Sequence, residues 1–320
     1  MFQTIKNFNI HFNSLNERNT IGSGDLVTGH VSFELTKETK ITSITMAIRG
    51  KASVSWLSDR TRKRSERHRY SAKLEYFDVK SFIIQDKSAS GKSTKLQPGT
   101  HMFPFTCQLP LGDFPPSFHG MKGQIVYTMT VGINRPWNMC KEFEAKLNFI
   151  NRIDINRPIL GAPVSGSNSK KMCVLCCFSG DVTMKVSTEK KAFSPGETVK
   201  LICEFSNGSS QIVTPKVRLN QREVYHTVDK NNSEVRFKQL VLVTGRPINP
   251  HTSGVHNEIM LSIPSEAAFS FSNGIILEVE HLIEVRLRAR FSSDLIVLIP
   301  IIICDAFLSS QPPPYSAVNV

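Results

Sequence analysis

Apolar and polar residues alternate along most of this chain. Val31, Phe33 and Leu35 follow this rule, as do Ile44, Met46 and Ile48. So do Ile125, Tyr127, Met129, Val131 and Ile133, and Val199, Leu201, Cys203 and Phe205. A period of two puts every second side chain on one face of a strand. Each run therefore predicts a half-buried antiparallel strand with its apolar set toward a core. Phe143, Ala145, Leu147 and Phe149 keep that period although the Glu and Lys between them favour helix. No long segment carries a 3.6-residue period. Turn residues punctuate the pattern at Gly22-Ser23-Gly24-Asp25, Gln97-Pro98-Gly99, Phe114-Pro115-Pro116 and Ser194-Pro195-Gly196. Short strands at this spacing predict sandwiches or barrels.

The pattern also repeats. Gly24-Asp25-x-Val27 with Phe33 recurs as Gly196-Glu197-x-Val199 with Phe205, 172 positions later in each case. In both halves an acidic residue after a turn glycine opens a strand, as two copies of one β-sandwich would require. Residues 156–180 between them hold prolines, glycines, serines and a cysteine cluster, a linker composition. The expected fold is therefore all-β: two tandem antiparallel β-sandwiches of immunoglobulin-like architecture with a short disordered C-terminal tail. The expected layout is a first sandwich over 1–155, a linker over 156–180, a second sandwich over 181–305 and a tail over 306–320. A length of 320 residues suits two domains that each bury a core.

Composition narrows the setting. A 40% hydrophobic and 21% charged chain is globular, not wholly disordered. The stretch from Met1 to Phe8 has no continuous apolar run, so no signal peptide is expected. The longest apolar stretch, Leu295 to Cys304, contains Pro300 and is about half of what a membrane-spanning helix needs; it reads as a buried strand. Seven cysteines without a secretion signal point to a reduced cytoplasmic compartment. The net charge of +12 favours anionic partners. Nucleic acid is not expected, because no helix-turn-helix, zinc-finger or aromatic-plus-basic signature accompanies the charge.

The densest functional signal is Pro312-Pro313-Pro314-Tyr315, a Pro-Pro-x-Tyr ligand of WW domains. Proline fixes φ, so the peptide is already a polyproline II helix and loses little entropy on docking. Pro312 and Pro313 would lie in an aromatic groove, and Tyr315 would fill the next pocket. Arg60, Arg62, Lys63, Arg64, Arg67 and Arg69 crowd ten residues with His68 among them. They are a candidate contact for an anionic membrane surface, set against a solvated hairpin loop. Cys173, Cys176 and Cys177 lack a second ligand pair nearby, so no metal is expected there. Lys170 and Lys171 beside them make acylation a candidate, set against plain packing. Arg286, Arg288 and Arg290 alternate with Val285, Leu287, Ala289 and Phe291, so they share one sheet face and form a candidate stripe for an acidic ligand.

Other signals are weaker. Ser90-Gly91-Lys92-Ser93-Thr94 resembles the end of a phosphate-binding loop, but Asp86 stands where that loop needs glycine. Ile276-Leu277-Glu278-Val279-Glu280 nearly matches a clathrin box but lies in a strand pattern. No nucleophile elbow, zincin motif or dinucleotide fingerprint is present, so no catalysis and no cofactor are expected.

Several blocks carry a family resemblance. The run Pro98 to Pro110, with Phe103-Pro104-Phe105 inside it, is followed by Phe114-Pro115-Pro116-Ser117-Phe118, Gly123-x-Ile125-x-Tyr127 and Arg135-Pro136-Trp137. These resemble the amino-terminal arrestin domain. Phe193-Ser194-Pro195-Gly196-Glu197 resembles the opening of the carboxy-terminal arrestin domain, and Asp294 to Ile303 its last strand. With the terminal Pro-Pro-x-Tyr, the chain resembles an alpha-arrestin, although tails in that family are usually longer and often carry two such motifs. The resemblance implies a cytoplasmic adaptor, peripheral at the plasma membrane and endosomes. It would link a membrane receptor or transporter cargo to a WW-domain HECT-type ubiquitin ligase and promote endocytic sorting of the cargo. The rival expectation is an endosomal scaffold that acts through its sandwiches and basic surface, independently of the tail.

Overall fold

The computed structural model describes residues 4–13, 18–58, 68–85, 94–153, 157–174, 177–288 and 293–305. The chain divides into two compact units. The first comprises residues 1–151 with 226–232 and 273–277; the second takes the remainder.

The first unit holds β1 (Ile5–Phe12), β2 (Thr20–Ile21), β3 (Leu26–Leu35), β4 (Thr39–Ile41), β5 (Ser43–Leu57) and β6 (Arg69–Gln85). It continues with β7 (Thr94–Leu96), β8 (Gly99–Gln108), β9 (Phe118–His119), β10 (Gly123–Asn134) and β11 (Lys141–Phe149). One sheet runs β1-β3-β8 and the other β2-β11-β10-β5-β6, with β9 paired to β10 and β4 paired to β7. The alternation predicted from sequence is realised. The odd residues of β3 from Val27 to Leu35, the even residues of β5 from Ile44 to Ile48, and the odd residues of β10 from Ile125 to Ile133 are buried, Gly29 included. β11 is a strand, and only Leu147 and Phe149 of its apolar set are fully buried; Phe143 and Ala145 are half-buried.

An aromatic cluster centres this core. Tyr127 stacks on Phe149 at 4.2 Å, with Phe77 at 5.7 Å, and Phe114 meets Phe77 edge-on at 5.0 Å. Burial of the phenol pushes its pKa up. The Tyr127 hydroxyl is satisfied by donating to the Pro115 carbonyl at 2.7 Å. Ser117 locks the same crossing: its N–H donates to the Phe149 carbonyl at 2.8 Å and its Oγ accepts the Phe149 N–H at 2.9 Å. Thus Phe114-Pro115-Pro116-Ser117-Phe118 is a lid tied to the aromatic core. Its prolines cost no hydrogen bonds, because the segment joins no ladder until Phe118.

The second unit holds α1 (Pro158–Gly161), β12 (Val164–Val174), β13 (Cys177–Thr188), β14 (Ala192–Phe193), β15 (Thr198–Asn207) and β16 (Thr214–His226). After these come β17 (Ser233–Thr244), β18 (Thr252–Ser262), β19 (Leu277–Arg288) and β20 (Leu295–Ile303). Its sheets run β12-β13-β15-β18 and β14-β20-β19-β16-β17. Their facing sides supply one core, with Met184, Leu201 and Phe205 from the first and Leu219, Val285 and Ile299 from the second.

The internal repeat is visible in the backbone. At Gly22–Asp25 the Asp25 carboxylate accepts the Gly22 N–H at 2.8 Å, and at Ser194–Glu197 the Glu197 carboxylate accepts the Ser194 N–H at 2.8 Å. The intervening glycines, Gly24 and Gly196, have φ of +76° and +84°, which side chains with a Cβ rarely adopt. The residue before each turn pairs in parallel with the last strand of its unit: Ile21 with Phe149, and Phe193 with Ile303. These two short parallel pairs sit within otherwise antiparallel sheets. They follow from the turn itself, which sends the chain from one sheet into the other.

Residues 156–180 depart from the linker reading. They contain the one-turn helix α1 and most of the β12–β13 hairpin, paired from Val164↔Thr188 to Val174↔Cys177 with a register shift between Met172 and Cys173. β12 is an edge strand of the second unit, and none of Val164 to Lys171 is fully buried. An edge strand can be built of serine, glycine and lysine, so its composition mimics a linker.

Candidate functional site

β5 and β6 stay paired from Ser43↔Gln85 to Leu57↔Arg69. Beyond that rung the Ser58 N–H donates to the His68 carbonyl at 2.8 Å, and the Ser58 Oγ accepts the His68 N–H at 3.0 Å. The connection between these two residues carries Arg60, Arg62, Lys63, Arg64 and Arg67, which lie outside the described residues. Arg69, the sixth member of the cluster, opens β6 and is exposed.

Arg69 belongs to a larger basic surface that the sequence did not show. Arg69, Ser71 and Lys73 share the outer face of β6, opposite the face that buries Ala72. Across the ladder Ser71 lies beside Ser55, Lys73 beside Ser53, and Ser53 beside Gln124, which in turn pairs with His119. The turn between β9 and β10 closes by a Gly120 N–H to Gly123 carbonyl bond of 2.9 Å and is tied to β5 by Ser55 N–H donating to the Lys122 carbonyl at 2.7 Å. Arg69, Lys73, Lys122 and His119 thereby border an open concavity of about 440 Å³ floored by serines. Among the described residues no carboxylate lines it. On the next rung Glu75 is paired with Lys51 at 3.4 Å.

The other predicted residues fare differently. Arg286 sits on the outer face of β19 as predicted, but it is occupied. Its Nε donates to Glu284 at 2.9 Å and its guanidinium reaches Asp294 at 2.9 Å. The hydrogen bond to Glu284 raises its pKa further. Neighbouring rungs are also neutralised, with Arg222 at 2.6 Å from Glu280 and Arg218 at 3.6 Å from Glu284. An acidic ligand on this stripe would have to displace carboxylates already in place. Arg288 is exposed and Arg290 lies outside the described residues. Cys173 and Cys177 fall in the backbone of the β12–β13 hairpin, and Cys176 lies outside the described residues. Ile276 and Leu277 of the near-clathrin box are buried and not available as an extended ligand. Pro312, Pro313 and Tyr315 lie outside the described residues. Among the described residues no cluster of three or more His, Cys, Asp or Glu side chains could hold a metal, and no helix is long and apolar enough to cross a membrane.

Family models settle the kinship. The amino-terminal domain of "Arrestin (or S-antigen)" matches residues 8–156, and its carboxy-terminal domain matches residues 179–306. The chain belongs to the arrestin family, in its alpha-arrestin branch. Its relatives include Arrestin domain-containing protein 4 of Mus musculus, 27% identical over 88% of this chain and 68% of that protein. Thioredoxin-interacting protein of Homo sapiens is 27% identical over 78% of this chain and 61% of its own length; that of Sus scrofa is 25% identical over 95% and 75%.

Within this arrestin body, the blocks that carried the resemblance turn out to be structural. Pro115 and Ser117 hold the lid on Tyr127 and Phe149, and Gly196 and Glu197 form the turn that opens the second sandwich. These family-marking residues thus support the two cores, while Trp137 of the same set is exposed. Residues that could contact partners are the basic concavity and the terminal motif.

Proposed function

We propose that this alpha-arrestin is an adaptor that couples a membrane receptor or transporter to a WW-domain HECT-type ubiquitin ligase. The arrestin body would engage the cargo, and Pro312, Pro313 and Tyr315 would recruit the ligase. The basic connection from Arg60 to Arg69 would hold the assembly at the anionic cytoplasmic leaflet. Ubiquitination of the cargo, its endocytosis and its endosomal sorting follow. The observation that carries this reading is the joint presence of an amino-terminal and a carboxy-terminal arrestin domain and, further along the chain, Pro312-Pro313-Pro314-Tyr315. Such an adaptor needs no chemistry of its own. Tethering raises the effective concentration of ligase at the cargo to the millimolar range for a short flexible connection, enough to turn a weak encounter into a productive one.

The test is a comparison in cells of wild type with Tyr315→Ala, reading ubiquitin remnants on membrane proteins by mass spectrometry. Cargo whose ubiquitination rises with wild type and not with the variant supports the adaptor. Equal effects of both proteins would favour the rival scaffold, which works through the sandwiches and the basic surface alone.

A further inference from the structure

One sheet of the second unit ends on an open edge. β17 is last in the order β14-β20-β19-β16-β17, so β16 pairs with one side of it and, among the described residues, no strand pairs with the other. Along that side every second residue presents an N–H and a C=O that a further strand could take up. The unit's other edges offer less. β14 has only Ala192 and Phe193. β12 is held against β20 by the Asn168 side chain, whose Nδ2 donates to the Ile296 carbonyl at 2.8 Å. β18 turns His256, Glu258, Met260 and Ser262 outward, with one apolar side chain among them.

β17 differs in what it exposes. Phe237, Leu242 and Val235 are 63%, 47% and 37% exposed. The core takes Leu240, Val241 and Val243 from the same strand instead. A strand added to this edge would set its own side chains about 5 Å from these and cover them. Val235 and Phe237 share one phase and Leu242 has the other, so Val235 and Phe237 set the spacing of the added strand. Charge then selects the partner. Lys238 is exposed at the middle of β17, and Arg246 is exposed just beyond its end. Neither has an acidic partner among the described residues. Glu234, the acid of this strand, is already paired with Arg236. A second copy pairing antiparallel through the middle of β17 would bring two Lys238 side chains together, and that repulsion opposes it. A segment bearing carboxylates meets the same cations with the opposite sign.

We propose that β17 is a docking edge for an extended, acidic segment of a partner protein, taken up as an added strand. Its apolar residues, at alternate positions, lie beside Val235 and Phe237, and its carboxylates face Lys238 and Arg246. Main-chain hydrogen bonds supply affinity, and the side chains fix the register. The inference rests on the adaptor reading in one respect: under that reading the segment belongs to the cytoplasmic part of the cargo. Pro312, Pro313 and Tyr315 take no part in the edge, so failure of either test leaves the other intact.

The experiment uses the full chain and, as probe, a phage library of random peptides about twelve residues long, enough for one strand. The library is first depleted on Phe237→Ser, which keeps the charge of the edge, and then selected on the wild type. Enriched sequences should alternate apolar with other residues and carry net negative charge. A synthetic peptide of the leading sequence should bind the wild type with a micromolar dissociation constant, read by fluorescence anisotropy. Phe237→Ser should weaken it about tenfold, and Lys238→Glu by a similar factor. Methylation of alternate main-chain nitrogens in the peptide should abolish binding, and hydrogen exchange of the β17 amides should slow in the complex. Both substituted side chains are exposed, and unchanged circular dichroism would show that the variants fold. No enrichment, a consensus without alternation or with net positive charge, or equal affinity of Phe237→Ser overturns the proposal. Binding that survives main-chain methylation also overturns it. A wild-type dimer in sedimentation, lost in Phe237→Ser, overturns it in favour of a second copy.

Discussion

His281 gives this fold a dependence on pH that can be worked out in advance. It lies on β19 with about 1% of its surface exposed. Its Nδ1 is 2.8 Å from the Ser270 hydroxyl, whose oxygen also accepts the Ile303 N–H at 2.9 Å. Its Nε2 is buried without a hydrogen-bond partner. Burial disfavours the imidazolium and lowers the pKa from 6.5 to about 4. The unfolded chain therefore binds a proton between those values that the folded chain refuses. The stability this group contributes is complete above pH 6.5 and is lost as pH falls toward 4. A gap of roughly 2.5 units at about 1.36 kcal/mol each corresponds to about 3 kcal/mol, of which about 2 kcal/mol is lost by pH 5. The perturbation is His281→Gln, which is polar but does not titrate. The assay is urea unfolding at pH 7.5 and pH 5, following the transition of the second unit. Wild type should lose about 2 kcal/mol more than the variant between the two pH values. An equal loss in both would refute the reasoning, because the acid sensitivity would then lie in other groups.

Further expectations concern other parts of the body. Tyr127→Phe removes the bond to the Pro115 carbonyl but keeps the ring stack; it should cost about 1 kcal/mol in the first unit, measured by denaturant unfolding. Gly196→Ala forces a Cβ into a backbone of φ +84° and should destabilise the second unit by about 1 kcal/mol or more; a stabilised variant would show that the turn relaxes freely. Trp137 is fully exposed and Trp56 is buried, so acrylamide should quench about half of the wild-type emission readily and almost none of Trp137→Phe. Under native conditions iodoacetamide should label Cys140 before Cys107, Cys203 or Cys304, because it is exposed while they are buried, with burial pushing the thiols of Cys203 and Cys304 up to about 12 and 11.

Much of the architecture was legible because a two-layer β protein writes its core into alternate positions. Val31, Phe33 and Leu35, or Leu201, Cys203 and Phe205, need no tertiary information to declare a face. The repeat was legible for a related reason: a left-handed glycine followed by a capping carboxylate is a local requirement, met at Gly24-Asp25 and again at Gly196-Glu197. β12 was not legible. It lies at a sheet edge, carries Ser165, Ser167 and Lys171 toward solvent, and so lacks the apolar half of the pattern. The role of Arg286 was legible only in part. Periodicity gave its face, but its pairing with Asp294 depends on the β19–β20 ladder, which brings residue 294 back beside it. The concavity was hidden for a stronger reason. Arg69, Lys73, His119 and Lys122 come from two stretches about 50 residues apart, and only the ladder β6-β5-β10 sets them side by side. The Pro-Pro-x-Tyr motif stands at the other extreme, since a linear ligand carries its chemistry in consecutive residues.

The central claim is that the chain recruits a ligase through its last residues, and direct binding tests it most plainly. Calorimetry of the full chain against an isolated WW domain from a HECT-type ligase should give a micromolar dissociation constant, roughly −7 to −8 kcal/mol. Tyr315→Ala empties the aromatic pocket and should weaken binding by about 2 kcal/mol, roughly thirtyfold. Equal heats and equal affinities for wild type and Tyr315→Ala, or no binding by either across a panel of such domains, would contradict the account.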